Sequence, residues 1–144
     1  MGIENIILDS SVIVSVSIKE QYSTRAKKII ERTGRVHTLD LAYYEATNAL
    51  NMYRRSGKIS DKIYLELVKN SLAFLEKCTT HQYSEVLEAA SRLAVYTGVA
   101  IYDSVYVALA SKLRYKLLTV DLALYNKLSE FPELKELLVT YLNN

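Results

Sequence analysis

"LLTVDLALYNK", Leu117 to Lys127, decides how this chain folds. An apolar run stops at Thr119, Val120 and Asp121, and a helical pattern starts at Leu122. That is how a short buried strand hands a carboxylate to its C-terminal end and turns straight into a helix. The same order of residues stands near the start of the chain. Ile3 to Leu8 (IENIIL) is short and rich in β-branched residues, and Asp9-Ser10-Ser11 follows with polar groups able to open a helix.

Between these two points strands and helices alternate. Ser23 or Thr24 caps a helix over Arg25–Arg32, Gly34 stops it, and Val36-His37-Thr38 is a short strand. Asp40 to Arg55 is helical, with Ala42, Ala46, Ala49 and Tyr53 at helical spacing and "RRSGK" giving a positive last turn and a Gly stop. Ser60 or Asp61 begins another helix that ends near Lys77, with Ile63, Leu67, Phe74 and Leu75 as its inner positions. Cys78 to His81 is a brief strand, and Tyr83 to Thr97 a helix closed by Gly98. Val99 to Ile101 is too short to classify. Asp103 to Leu113 is apolar nearly all round, which predicts a helix buried on several sides. Leu117–Val120 is a strand, Leu122–Leu128 a helix, and Leu137–Tyr141 a last strand after Phe131-Pro132. The alternation predicts an α/β sandwich with a mainly parallel sheet, its faces covered by helices. There is no internal repeat or linker, and 144 residues fit one domain, 1–144.

Composition excludes several classes. Half the residues are hydrophobic and 24% charged, with 4 Gly and 1 Pro, so the chain is neither disordered nor low-complexity. A formal net charge of +2 does not by itself mark a nucleic-acid binder. The one cysteine, Cys78, has no partner for an intramolecular disulfide, and no export signal stands at the start, so a cytoplasmic protein is expected. Apolar runs such as Val105–Ala110 fall far short of the roughly 20 residues of a membrane span.

In an open parallel sheet, ligands bind at the carboxyl ends of the strands, near a switch in strand order. Asp9 and Asp121 both end strands and so converge on that edge, though each is also a fit helix cap. Asp103 stands at the start of the apolar helix, where a buried charge needs a partner or a metal, or serves the helix dipole. Glu45 is the sharpest case, for it interrupts an apolar stripe formed with Leu41, Ala42 and Ala49, and Asn48 one turn on shares its face and could orient it; a surface Glu at the stripe edge is the lesser alternative. Asp40 falls on a different part of that helix and is assigned to its cap. Four carboxylates gathered in one cleft repel and hold raised pKa values unless a cation neutralises them. All-oxygen ligation selects a hard ion, Mg²⁺ or Mn²⁺, and such ions act on phosphodiesters.

These residues resemble the motifs of the PIN domain family, especially its small single-domain members typified by VapC toxins. "IILDSSV" resembles the first motif with Asp9, "LAYYEATNAL" the second with Glu45 and Asn48, "YDSVYVALA" the third with Asp103, and "LLTVD" the fourth with Thr119 and Asp121. The resemblance covers nearly the whole chain. It implies a three-layer α/β/α fold around a parallel sheet of about five strands. It also implies a Mg²⁺- or Mn²⁺-dependent endoribonuclease in which Asp9, Glu45, Asp103 and Asp121 are catalytic, metal-binding acids. Ser10 and Thr119 would hydrogen-bond a carboxylate or a metal water, and cutting would leave a 5′-phosphate and a 3′-hydroxyl. A cognate antitoxin and a homodimer follow from the same resemblance. The chain departs from the family pattern at "HTLDLAYYE", where a proline or small residues are common, and at Ser104, where a small apolar residue is common.

Other features fit more than one use. "YRRSGK" and "SKLRYK" are either phosphate contacts with Tyr53 or Tyr115 for stacking, or positive helix ends. His37, His81 and Cys78 supply too few ligands in any metal spacing and are read as structural. Twelve tyrosines against 2 Phe and no Trp suit buried rings with a polar tip, or exposed rings at a partner surface. A haloacid-dehalogenase-like phosphatase would need an aspartate two residues after Asp9, where Ser11 stands. A PIN-like scaffold that binds RNA or protein without cutting, and an RNA-processing nuclease outside toxin-antitoxin systems, stay open.

Overall fold

The computed structural model describes residues 2–141. Four strands, β1 (Asn5–Leu8), β2 (Arg35–Leu39), β3 (Thr79–His81) and β4 (Lys116–Leu118), pair in parallel in the order β3-β2-β1-β4. Ile6, Ile7 and Leu8 on β1 are wholly buried. A strand paired on both sides and covered on both faces reads as a continuous apolar run, and this is why no alternation shows there. Helices α1 (Ser10–Ser17), α2 (Ser23–Glu31), α3 (Leu41–Arg55) and α4 (Asp61–Glu76) pack on one another, and α5 (Leu87–Thr97) packs on α6 (Ile101–Leu113). The connections from β1 to β2 and β2 to β3 step one way along the sheet, and the connection carrying α5 and α6 steps back past β1. Right-handed crossovers then place the two helix groups on opposite faces, as the α/β/α expectation requires. Two short helices, α7 (Leu122–Leu128) and α8 (Pro132–Lys135), close the chain after β4.

The strand order reverses between β1 and β4, and the register Leu8↔Leu118 aligns their carboxyl ends. Asp9 leaves one strand and Thr119 the other at this switch point. Burial of seven successive residues, Ser104 to Ala110, bears out the reading of α6 as an element enclosed on several sides. No single helix among the described residues is long and apolar enough to cross a membrane.

Four details differ from the sequence reading. The last strand, Leu137–Tyr141, is reduced to one parallel bridge, Leu117↔Leu138, held by Leu117 N–H to Leu137 O (2.7 Å) and Val139 N–H to Leu117 O (2.9 Å). The sheet therefore has four strands with this bridge in the fifth position. The Tyr83–Thr97 helix is broken, because the Glu85 carboxylate accepts from Gln82 N–H (2.9 Å) and closes a 3₁₀ turn over Tyr83–Glu85 before α5 begins. Helix α2 starts at Ser23 without a side-chain cap, since the Ser23 hydroxyl accepts from Glu20 N–H instead (2.7 Å). Gly34 lies past the helix end and lets two backbones meet, for a Cβ there would stand 2.8 Å from Glu4 O.

Candidate active site

Asp9 is the centre of the switch point. It caps α1 from extended backbone (φ −85°, ψ 175°) and is only 3% exposed. Its Oδ1 accepts from Ser11 Oγ (2.5 Å) and from Val12 N–H (3.3 Å). Ser11 Oγ also lies 3.3 Å from Thr119 Oγ1 and accepts from Val120 N–H (3.1 Å), so one hydroxyl ties the end of β1 to the end of β4. Asp121 caps α7: its Oδ1 accepts from Leu124 N–H (3.1 Å), while its own N–H donates to Thr119 Oγ1 (3.2 Å). Cap and site residue are compatible roles, because a capping bond engages one carboxylate oxygen of two.

The other two acids come from helices. Glu45, half-buried on α3, accepts through Oε1 from Tyr106 Oη on α6 (2.8 Å). Asp103, also half-buried, sits in the first turn of α6. Their electrostatics couple them through Asp103. Burial pushes Asp9 up to about 7, hydrogen bonds from Ser11, Thr119 and Val12 hold it back, and the charge of Asp103 raises it further. Burial raises Glu45, with Tyr106 and Ser10 opposing and Asp103 adding to the rise. Asp103 itself is raised by burial and then by Asp121. Each acid is therefore within electrostatic reach of Asp103, and repulsion among them is real.

Convergence stops short of a finished cage. Among the described residues no three Asp, Glu, His or Cys side chains already stand as a ready ligand set for one ion. Asn48 is exposed and lines a different groove with Thr47, Asn51 and Tyr64, and the partner of Glu45 is Tyr106. Asp40 is a cap as read from sequence, with its carboxylate accepting from Leu41 N–H (2.9 Å) and Tyr83 N–H (3.3 Å). His37 and His81 bond each other (Nδ1 to Nε2, 3.1 Å), and Cys78 donates to Phe74 O, as structural residues do.

Ser11, Tyr106 and Tyr141 are given no site role by the sequence alone. Tyr106 looks like core from its neighbours and is indeed 1% exposed, yet its hydroxyl serves Glu45. Tyr141 is packed edge-on against Tyr22 and Tyr125, and its buried hydroxyl has no hydrogen-bond partner among the described residues. Burial first, then Tyr22, Tyr125, Asp9 and Asp121, push its pKa up to about 12. The offset of Ser11 from Asp9 was visible in the sequence; nothing in periodicity marks the two tyrosines.

A sequence model described as PIN domain matches residues 6–128. The chain belongs to this family. It is also similar to Ribonuclease VapC3 of Pyrobaculum aerophilum, at 36% identity over 129 residues that span 90% of this chain and 96% of the relative. Among solved structures, PAE2754 from Pyrobaculum aerophilum shares the fold with TM-score 0.66 at 24% identity, over 86% of this chain and 79% of that one. A toxin-antitoxin complex from Klebsiella pneumoniae does so with TM-score 0.68 at 14% identity, over 94% and 96%. PIN-domain ribonucleases of the VapC kind generally use divalent metal ions. In this PIN domain Asp9 and Asp121 follow β1 and β4 at the edge where those strands part.

Proposed function

We propose that this PIN domain is a Mg²⁺- or Mn²⁺-dependent endoribonuclease, the toxin of a VapBC-type pair, with Asp9, Glu45, Asp103 and Asp121 as its catalytic, metal-binding acids. The observation that carries the reading is the elevation of Asp9, Glu45 and Asp103 at the switch point, by burial first and then by the charges of Asp103 on Asp9 and Glu45 and of Asp121 on Asp103. Their ionised state is opposed by burial and by one another, and a cation relieves both. The donors are all oxygen, which fits a hard ion that keeps several waters, and the buried Tyr141 hydroxyl has no hydrogen-bond partner among the described residues.

When bound, such an ion lowers the pKa of water and stabilises charge on the attacking and leaving oxygens of a phosphodiester. The protein's own part is orientation. Ser11 and Thr119 fix Asp9 against rotation, and Tyr106 with Ser10 fixes Glu45. Asp121 spends one oxygen on its helix and is exposed, so the other is accessible to solvent or substrate. Similarity to Ribonuclease VapC3 supports RNA as substrate, and the fold shared with the Klebsiella complex supports an antitoxin partner. Exposed Val95 and Tyr96 on α5 support a homodimer.

A non-cutting scaffold is favoured by one observation, the lack of a ready ligand trio among the described residues. Cleavage of a mixed structured RNA by antitoxin-free protein, with Mg²⁺, Mn²⁺ or EDTA, separates the readings. The nuclease predicts cutting that needs the ion and vanishes in a folded Asp9→Asn, Asp103→Asn double variant. No cutting by folded wild type with either ion, together with RNA binding that persists, establishes the scaffold.

A further inference from the structure

The unusual supply of tyrosine is not used up by the acidic site. Tyr44, Tyr83 and Tyr102 are 79%, 62% and 62% exposed and rim one cavity of about 270 Å³ floored by Leu39, Leu41 and Val105. None of the described residues hydrogen-bonds their hydroxyls or stacks on their rings. Residues of its lining stand next to the acids along the chain. Tyr44 precedes Glu45 on α3, Tyr102 precedes Asp103 in the first turn of α6, and Leu39 ends β2 at the sheet edge that Asp9 also leaves.

We propose that this cavity is a base subsite, which takes one unstacked nucleobase next to the phosphodiester held at the acids; the inference rests on the ribonuclease reading above. Its chemistry selects a neutral flat ring. The charged side chain among its lining residues is Asp40, an anion, and no cation lines it, so a phosphate would be repelled. Both Asp40 oxygens already accept backbone N–H groups, from Leu41 and Tyr83, which leaves little hydrogen-bond readout of base identity. The volume falls at the small end of ligand sites, suited to one ring system. Tyrosine rings at the rim bring a large, rigid, sequence-tolerant stacking face with a wet hydroxyl edge. A subsite of this kind admits a base only after it has left its stack, so the nucleotide beside the cut must be unpaired.

The test uses the full-length chain and short single-stranded oligoribonucleotides carrying one 2-aminopurine, titrated in EDTA so that no strand is cut. Cleavage of the same oligonucleotides is then followed separately with Mn²⁺. Stacking predicts quenching of 2-aminopurine by wild type and about tenfold weaker binding for Tyr44→Ala and Tyr102→Ala, with affinity restored in Tyr44→Phe and Tyr102→Phe. In cleavage the alanine variants raise KM and leave kcat near wild type. If wild type cuts but the folded alanine variants bind RNA as tightly as it does, the subsite is refuted and the nuclease stands. Unchanged RNA affinity with a changed mass by light scattering would also refute it, and would make this face a protein interface. Absence of both quenching and cutting by wild type overturns the subsite and the ribonuclease reading together.

Discussion

Replacing Asp9 by Asn separates the cost of its charge from its place in the fold. Asp9 has a pKa of about 7 in the folded chain against an ordinary 3.8. Between those values the native state keeps a proton that the unfolded chain has lost, so this group's contribution to stability falls as pH rises and is flat above about 7. At about 1.4 kcal/mol per unit, the loss comes to ~4 kcal/mol. Asn keeps an acceptor for the Ser11 hydroxyl and Val12 N–H and has no proton to lose. In EDTA, urea unfolding followed by circular dichroism from pH 4 to pH 8 should show Asp9→Asn gaining on wild type by ~4 kcal/mol, a midpoint difference of more than about 1 M. Glu45 and Asp103 remain in both proteins, so the difference between the two curves isolates Asp9 and the coupling it makes. Mn²⁺ at a hundred times its Kd should restore about 2.7 kcal/mol to wild type at pH 8 and much less to the variant. Parallel stability profiles for the two proteins across this range would refute the reasoning.

Tyr106→Phe keeps the buried ring and removes the donor to Glu45, which raises that carboxylate further; metal affinity should drop about 10- to 100-fold by titration, and the cleavage profile should move to higher pH. Asp121→Asn should leave the melting temperature unchanged, because Asn caps a helix as well as Asp, yet slow metal-dependent cleavage. Asp121→Ala should in addition cost about 1 kcal/mol in chemical denaturation. His37 is held below its usual 6.5 by burial, then by His81 and Arg35, so the unfolded chain takes up the proton more readily and stability falls as pH drops below 6.5. His37→Gln removes this loss, so urea unfolding should show the variant gaining on wild type as the pH is lowered from 7 to 5.

Much of this site was legible because its chemistry lies at strand ends. A β-branched run followed by Asp, at Asp9 and again near Asp121, fixes both a boundary and an edge, and parallel pairing does the rest. Asp103 and Glu45 were visible as charges where apolar residues belong. What orients them was hidden. Hydroxyl contacts such as Ser11 to Thr119 join residues 108 apart in sequence, and no periodicity records them. Asn48 shows the converse: a residue at the expected spacing from Glu45 lines another groove, and it is the hydroxyl of Tyr106 on α6 that donates to Glu45.

The lost last strand has the same kind of cause. Leu137–Tyr141 carries a strand-like composition, but the turn of α8 after Pro132 brings only Leu138 into register with Leu117. The segment continues to Tyr141, whose carbonyl accepts from the Arg25 guanidinium (2.9 Å) and whose ring fills the space between Tyr22 and Tyr125. Side-chain packing at the site, rather than a backbone ladder, fixes this stretch, which leaves a buried phenol beside the carboxylates. The edge of the sheet thus gives up regular pairing where the chain places a polar group near the acids, and local rules of strand formation fail at the point where function has a claim on the residues.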